Sequence, residues 1–279
     1  MQKLLVLQSM WSMERHRGGQ PVPTDLEASI AAIHAAGFDG VSALWFERAQ
    51  ARDITACLAG TGMVAEGTCF PDSIDALKPV LEIAAEFRVH HLNMQPNVRT
   101  GDLKEAARIV EGWQRLMEQV DFPVYIETHR DRLTNDLFFT LALLDAVKDV
   151  RLLADVSHYV VGREIGLPVS AQSDAQIKTI LDHAWAFHGR VASSEQIQVE
   201  LSFPQHRPWV DQFAAWWEYG FRSWRGRAAA DDTLSFTCEL GPRPYAITDR
   251  NGEDTTDRWA ESQLLRDLAR QIWDRVASA

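Results

Sequence analysis

Eight short apolar runs alternate with amphipathic helical patterns along this chain of 279 residues. The runs cover residues 4–7, 40–45, 63–70, 91–95, 123–128, 151–156, 184–192 and 233–240. Strands that alternate with helices form a parallel sheet, because each helix returns the chain to the same edge. The first seven runs start 23 to 36 residues apart, and about 50 residues separate the last two starts. Eight such units predict a single (β/α)8 barrel, with a doubly wound sheet as the alternative.

The segments between the runs carry the periodicity and the end signals of helices. Ser73 is a suitable N-terminal cap, and Gly37 and Gly60 are suitable stops. Predicted helices cover residues 24–36, 48–58, 74–84, 102–120, 135–147, 174–183, 209–225 and 254–276. Residues 1–279 are expected to form one domain, because no linker or repeat interrupts this pattern. An insertion at about 193–210 follows the seventh run, where it could serve as a lid.

Composition restricts the class of protein further. Lys and Arg number 28 against 39 Asp and Glu, so the formal net charge is −11, which disfavours binding to nucleic-acid phosphates. No apolar run reaches the roughly 18 residues of a membrane span, and the N-terminal segment lacks a signal-peptide pattern. Three widely spaced cysteines (Cys57, Cys69 and Cys238) argue against a disulfide framework. We therefore expect a cytoplasmic protein that binds neither membrane nor nucleic acid.

Ionisable residues follow the last four runs. Glu127, Asp155, His188 and Glu239 lie at the ends of runs five to eight, and Asn93 lies in run four. One polar residue at a strand end is more often a helix cap than a ligand, but four in succession would converge at the mouth of a barrel. Three carboxylates and one imidazole are typical of a site for one divalent metal ion: Mn²⁺, Mg²⁺, Co²⁺ or Zn²⁺. Such a cation would keep the neighbouring carboxylates ionised.

These motifs resemble those of a known family. Residues 127–130 (ETHR), 155–158 (DVSH), 188–190 (HGR) and 238–241 (CELG) are similar to the motif series of the sugar phosphate isomerase/epimerase family. These are the xylose isomerase-like TIM barrels, which include ketose 3-epimerases and inosose dehydratases. The resemblance covers the whole chain through the order of the strands, and its specific content lies in residues 127–240.

The resemblance implies roles for individual residues. A divalent cation would be held by Glu127, Asp155, His188 and Glu239, and His158 would contact the substrate. The family arginine matches Arg190, which lies closer to the preceding histidine than in the ketose epimerases. His129 and Arg130 have no equivalent in the best-known epimerases and resemble a less characterised branch. The resemblance is also compatible with a homo-oligomer, a dimer or a tetramer.

The expected chemistry is proton abstraction from the carbon next to a carbonyl, through an enediolate. Glu127 and Glu239 would act as metal ligands and as the acid–base pair, with His158 and Arg190 polarising oxygens of a sugar or polyol. The same residues would also suit a dehydratase acting on a keto-sugar or inosose, or a sugar-binding barrel without activity. A phosphodiesterase resembling endonuclease IV is disfavoured by the net charge.

Further side chains are candidates for substrate contact. Trp11 and Trp45 follow the first two runs and could wall the barrel mouth, although packing in the core is the alternative. Glu66, Asn93 and His129 complete the candidates that lie near strand ends. Weaker candidates lie in loops: His206 and Arg207 in the insertion, and His16 with Arg15 and Arg17 after the first run. We interpret His90 and His91 as structural, and the aromatic cluster at 216–224 as helix packing or an oligomer interface.

Overall fold

The computed structural model describes residues 1–13 and 25–278, and it folds as the (β/α)8 barrel that the alternating runs predict. Eight parallel strands follow one another around the barrel, and β8 pairs with β1, so that Lys3 lies opposite Thr233. This closure excludes the doubly wound sheet, whose edge strands do not pair. The strands are β1 (Lys3–Ser9), β2 (Gly40–Leu44), β3 (Val64–Cys69), β4 (His91–Met94), β5 (Val124–Glu127), β6 (Leu152–Ala154), β7 (Ala184–Gly189) and β8 (Thr233–Cys238).

Helices in the described part of the chain surround the strands. Two 3-10 helices, Met10–Met13 and Pro204–His206, accompany them. None of the described helices has the length and apolar character needed to cross a membrane. The α-helices are α1 (Leu26–Ala35), α2 (Arg48–Leu58), α3 (Ile74–Glu86), α4 (Leu103–Met117), α5 (Leu137–Ala146), α6 (Ser157–Gly162), α7 (Ala171–Asp182), α8 (Arg207–Arg227) and α9 (Arg258–Ala277).

Local hydrogen bonds explain where the helix boundaries differ from the sequence prediction. The predicted start of the first helix, Thr24, lies outside the described residues, and α1 is capped by Asp25, whose carboxylate accepts from the Ala28 N–H at 2.7 Å. The last helix begins later than predicted because Asp257 caps it. The short helix α6 was not predicted; it follows β6 directly and carries His158.

The barrel interior contains unusually many polar side chains. Branched apolar residues usually fill this space. Here Tyr125, Leu153 and Ala186 form a small apolar cluster of their own. Other buried interior positions are polar or ionisable: Glu66, His91, Asn93, Glu127, His188, Ser235 and Thr237. Fold stability therefore depends strongly on how well these groups are paired.

The opposite faces of the strands pack against the helices. Phe187 of β7 and Phe236 of β8 contact Phe221 of α8 edge to face, with ring centroids 5.2 and 6.0 Å apart. Trp217 contacts Phe236 in the same way at 5.1 Å. Together with Trp216 and Trp224, these side chains are almost completely buried. The aromatic cluster of α8 thus packs between helix and barrel.

The insertion at 193–210 is tied to neighbouring segments. The Gln198 side chain accepts from the Gly241 N–H at 2.7 Å and donates to the Gly241 carbonyl at 3.1 Å. The Glu261 carboxylate accepts from the N–H groups of Leu201 and Ser202 at 2.6 and 3.2 Å. His206 bonds the carbonyl of Glu200. These bonds hold the segment against Gly241 after β8 and against the start of α9.

Gly189 ends β7 at a point where helix-facing side chains approach the backbone closely. A Cβ atom there would lie 2.2 Å from Cζ of Phe236, whereas a Cβ on Gly226 of α8 would meet nothing within 4 Å. We expect Gly189→Ala to lower the free energy of unfolding by about 1–3 kcal/mol through overpacking. The control Gly226→Ala should leave stability unchanged or raise it by roughly 0.5–1 kcal/mol. Urea unfolding followed by circular dichroism measures both, and equal stability of the two variants would contradict this account of the packing.

Candidate metal and active site

A cavity of about 820 Å³ opens at the carboxyl ends of the strands. This is the end of a barrel where loops and strand termini build active sites. Its polar lining includes His129, Arg132, Arg190 and Glu239. The apolar part of the wall comes from the 3-10 helix after β1, from β2, from α2 and from the segments after β3 and β8. It includes Met10, Trp11, Leu44, Ile54, Phe70 and Tyr245. A cavity of this size accommodates a small organic molecule.

Three of the four predicted ligands meet at one side of this cavity. Glu127, His188 and Glu239 each offer an atom within 4.8 Å of the others. His188 Nδ1 lies 3.1 Å from Glu239 Oε2 and 3.8 Å from Glu127 Oε1. Glu127 and His188 are almost completely buried. Glu127 Oε1 has no hydrogen-bond partner in the described structure, which leaves one carboxylate oxygen free to bind a ligand.

Asp155 lies beside this group but is not part of it. Its Oδ1 accepts from the N–H and the hydroxyl of Ser157 at 2.9 and 2.5 Å, so the carboxylate is held at the start of α6. Its Oδ2 is buried without a hydrogen bond and lies 3.7 Å from Arg190 Nη2. The free oxygen therefore points toward the arginine that approaches the ligand group from the other side.

Arg190 is a buried cation between two of the predicted ligands. Its Nε donates to the backbone carbonyl of Glu239 at 2.9 Å, and its Nη2 donates to Glu239 Oε2. Only 1% of the residue is exposed. Arg190 lies two residues after His188, immediately beyond β7. From there its guanidinium reaches the carboxylates of Glu239 and Asp155.

The two neighbouring glutamates differ in their surroundings. Burial raises the pKa of Glu127, His188 opposes this, and the charge of Glu239 adds to the increase. Burial also acts on Glu239, but the Arg190 guanidinium and His188 outweigh it and hold its pKa well below the usual range. One carboxyl group therefore takes up a proton more readily than the other, which is the arrangement that acid–base chemistry requires.

His158 and His129 form a second group with Glu127. The two rings lie 3.9 Å apart, and each offers an atom within 4.8 Å of a Glu127 oxygen. His158 is buried with no hydrogen bond at either ring nitrogen within the described residues. Burial lowers its pKa well below the usual value, and His129 and Arg190 add to this. Burial also lowers the pKa of His129 to about 4. Both rings are therefore neutral near pH 7 and able to exchange hydrogen bonds with a ligand.

Two of the proposed substrate contacts lie beneath the cavity. Asn93 Nδ2 donates to Glu127 Oε2. Glu66 Oε1 accepts from His188 Nε2 at 2.9 Å. Neither side chain belongs to the cavity lining. Both therefore contact proposed ligands rather than the space for a substrate.

Of the two tryptophans near the first two strands, one lines the cavity and the other lies in the core. Trp11 lines the cavity and contacts Tyr245 edge to face at 5.0 Å. Trp45 is completely buried in the hydrophobic core, close to Gly67, while its neighbour Leu44 lines the cavity. Successive strand residues point to opposite faces, which explains the difference.

Sequence reasoning missed Tyr245 and Arg132. Tyr245 lies in the loop before α9, and the Arg190 guanidinium lies 4.9 Å from the centre of its ring. Arg132 follows β5 and lies 5.4 Å from the ring centre of Phe70. Neither residue belongs to a periodic pattern or a motif. His206 and Arg207 do not line the cavity, and His16 with its two arginines lies outside the described residues.

The donor set fits a divalent metal ion. Glu127 Oε1, Glu239 Oε2 and His188 Nδ1 face one another, and oxygen and imidazole ligands suit Mn²⁺, Mg²⁺, Co²⁺ or Zn²⁺. The other ring nitrogen of His188, Nε2, donates a hydrogen bond to the Glu66 carboxylate. Histidines that bind metals usually have such a partner. These contacts make the three residues a candidate metal site.

Known proteins were compared with the chain by sequence and by structure. No protein-family profile and no curated protein sequence matches it. A sugar phosphate isomerase/epimerase from Parabacteroides distasonis superposes with a TM-score of 0.62 at 12% identity, covering 97% of this chain and 95% of that one. A probable 3-DHS dehydratase from Bacillus anthracis gives 0.56 at 13% identity, covering 95% and 99%. A family 2 AP endonuclease from Brucella melitensis gives 0.54 at 13% identity, covering 87% and 94%. The chain therefore shares the (β/α)8 barrel fold of these three proteins.

Proposed function

We propose that this protein is a divalent-metal-dependent isomerase or epimerase of a sugar or sugar derivative. The observation that carries the proposal is the meeting of Glu127, His188 and Glu239 beneath a cavity at the carboxyl end of the barrel. Likeness to a sugar phosphate isomerase/epimerase in fold supports the proposal. The free oxygen of Asp155, aimed at the same region, is the proposed fourth contributor.

The bound metal would supply a positive charge that stabilises negative charge on the carbonyl oxygen of the substrate. One of the two glutamates would remove the proton from the carbon next to that carbonyl, and the other would return a proton. Glu239 remains ionised beside Arg190 and His188, which suits it for removing a proton. Glu127 takes up a proton more readily because it is buried, which suits it for returning one.

The remaining residues of the site would bind and orient the substrate. His129 in the cavity wall and the neighbouring His158 would donate or accept hydrogen bonds at substrate hydroxyl groups, because both rings are neutral and lie beside Glu127, tilted by 45° to each other. Trp11 and Tyr245 offer aromatic faces for the apolar side of a sugar ring. Arg190 would polarise a substrate oxygen through Nη1, which is buried and has no hydrogen bond within the described residues.

A dehydratase is the second candidate, and likeness in fold to a probable 3-DHS dehydratase favours it. In that reaction the same carbon loses its proton, and a hydroxyl group then leaves from the adjacent carbon. Glu127, which takes up a proton more readily because it is buried, would protonate the leaving hydroxyl.

Metal binding is the first test. We expect one Mn²⁺ or Zn²⁺ per chain in isothermal titration calorimetry. Glu127→Gln and His188→Asn should each weaken binding by more than the 10–100-fold typical for loss of a residue that only supports a ligand. Asp53→Asn is the matched control, because Asp53 lines the same cavity on α2, outside the ligand group. A wild-type chain that binds neither ion would contradict the proposal.

Proton exchange is the second test. Wild-type protein loaded with metal is incubated in deuterated water with ketoses, inososes and keto-sugars, and deuterium is located by NMR. We expect deuterium at a carbon beside a carbonyl, and a drop in turnover of at least 10²–10⁴-fold in Glu239→Gln, because one acid–base group is removed. Circular dichroism checks that this variant is folded.

The control variant in that assay is Glu200→Gln, which removes a buried carboxylate beside Thr255, away from the ligand group. It should exchange deuterium at the wild-type rate. Loss of water from the product would favour the dehydratase. Binding of metal and sugar without any exchange would identify a sugar-binding barrel and overturn the proposed enzyme.

A further inference from the structure

An unbroken chain of hydrogen bonds runs from His188 through the barrel interior to the other end of the sheet. His188 Nε2 lies 2.9 Å from Glu66 Oε1, and Glu66 Oε2 lies 2.7 Å from His91 Nε2. His91 Nδ1 lies 2.8 Å from His90 Nδ1. His90 Nε2 in turn lies 2.8 Å from the hydroxyl of Thr233. We call these five residues the interior relay.

The strand register brings these residues together. Glu66 of β3 and His91 of β4 are opposite each other in the sheet, and both side chains point into the barrel. Thr233 begins β8, and His90 immediately precedes β4. Glu66 and His91 are completely inaccessible to solvent. Apolar residues would fill this space without the desolvation penalty of buried ionisable groups. The relay therefore calls for an explanation beyond packing.

Glu66 fixes which atoms of its partners carry protons. It accepts from His188 and His91 and also from the hydroxyl of Thr237 at 3.2 Å. All three contacts are made at the two carboxylate oxygens, and the Thr237 hydroxyl and the ring nitrogens can supply a proton to each. An ionised carboxylate can only accept hydrogen bonds. His188 Nε2 and His91 Nε2 must therefore both be donors.

The proton order extends to the far end of the relay. Burial, together with His91, lowers the pKa of His90 to about 4, so this ring is neutral near pH 7 and carries one N–H. The Nδ1 atoms of His90 and His91 lie 2.8 Å apart, so one of them donates and the other accepts. With Nε2 of His91 as the donor to Glu66, the Nδ1–H of His90 is the donor in this pair. His90 Nε2 then accepts from the hydroxyl of Thr233. The Ser235 hydroxyl also lies 3.2 Å from His91 Nε2.

We infer that Glu66 and His91 are positioning residues that hold the His188 ring with Nε2 in the barrel interior and Nδ1 facing Glu127 and Glu239. His188 Nε2 has its partner inside the barrel, so Nδ1 is the nitrogen that lies 3.1 and 3.8 Å from the two glutamates. A flip of the ring would exchange these nitrogens for carbons and break both sets of contacts. The inference rests on the proposed function, because the nitrogen so presented is a proposed metal ligand.

Zn²⁺ affinity tests the positioning role in the full chain. We expect Glu66→Leu to weaken Zn²⁺ binding by 10–100-fold, the range for loss of a residue that orients a histidine ligand. Glu66→Gln keeps an oxygen for His188 Nε2–H and should recover most of the affinity. Leu92→Ala is the control, because Leu92 is buried on β4 beside His91 but packs in the hydrophobic core. A loss in Glu66→Leu no larger than in Leu92→Ala would overturn the inference.

Histidine NMR tests the relay without any metal. In ¹⁵N-labelled wild-type protein we expect the His91 proton on Nε2 and the His90 proton on Nδ1. Glu66→Gln presents an amide N–H₂ to His91 Nε2, so His91 should move its proton to Nδ1 and His90 to Nε2. A residue that only fills space would cause no such exchange.

The two measurements separate the two proposals. Absence of Zn²⁺ binding by wild-type protein, together with the expected exchange of histidine protons, would reject the metal site and leave the relay supported. Wild-type spectra with the His91 proton on Nδ1, or no exchange in Glu66→Gln, would overturn the relay whatever the metal affinity. His90→Gln and His91→Gln assign the resonances.

Discussion

Repulsion among buried carboxylates is the constraint on which this barrel depends. Glu66, Glu127, Asp155 and Glu239 lie within one connected set of contacts, and the first three are completely buried. Opposite charge must compensate them, because an unpaired charge in a protein interior is strongly destabilising. Within the described residues, His188 contacts Glu66 and Glu239, and Arg190 contacts Glu239 and Asp155.

That compensation is unevenly distributed. Glu239 has two cationic partners, and Glu66 is satisfied by three hydrogen-bond donors. Among the described residues, the Glu127 carboxylate accepts one hydrogen bond, from Asn93, and the Asp155 carboxylate keeps one oxygen without a hydrogen bond. The pKa values of Glu127 and Asp155 are both raised by burial. The two oxygens without a hydrogen bond are Glu127 Oε1 and Asp155 Oδ2. A bound cation or a proton taken from a substrate would compensate their charge.

The sequence predicts the architecture and the approach of three candidate residues to one another because both follow from periodicity. Parallel strands place their carboxyl ends at one edge, so residues after successive runs must meet there, as Glu127, His188 and Glu239 do. The face of a single residue is harder to predict, because parallel strands are buried on both sides and both faces are apolar. Trp45 therefore enters the core while Leu44 enters the cavity. Tyr245 lies in an irregular loop, for which no periodic signal exists.

The position of His90 and His91 along the sequence does not by itself reveal what these two residues do. They lie at the amino end of β4, where conserved features of barrels usually concern stability, and the sequence analysis interpreted them as structural. Through Glu66, however, they contact a nitrogen of His188, whose other nitrogen faces the candidate site. Only cross-strand register reveals this connection, since Glu66 and His91 are 25 residues apart in sequence. Hydrogen bonds thus connect the two ends of this barrel through its interior.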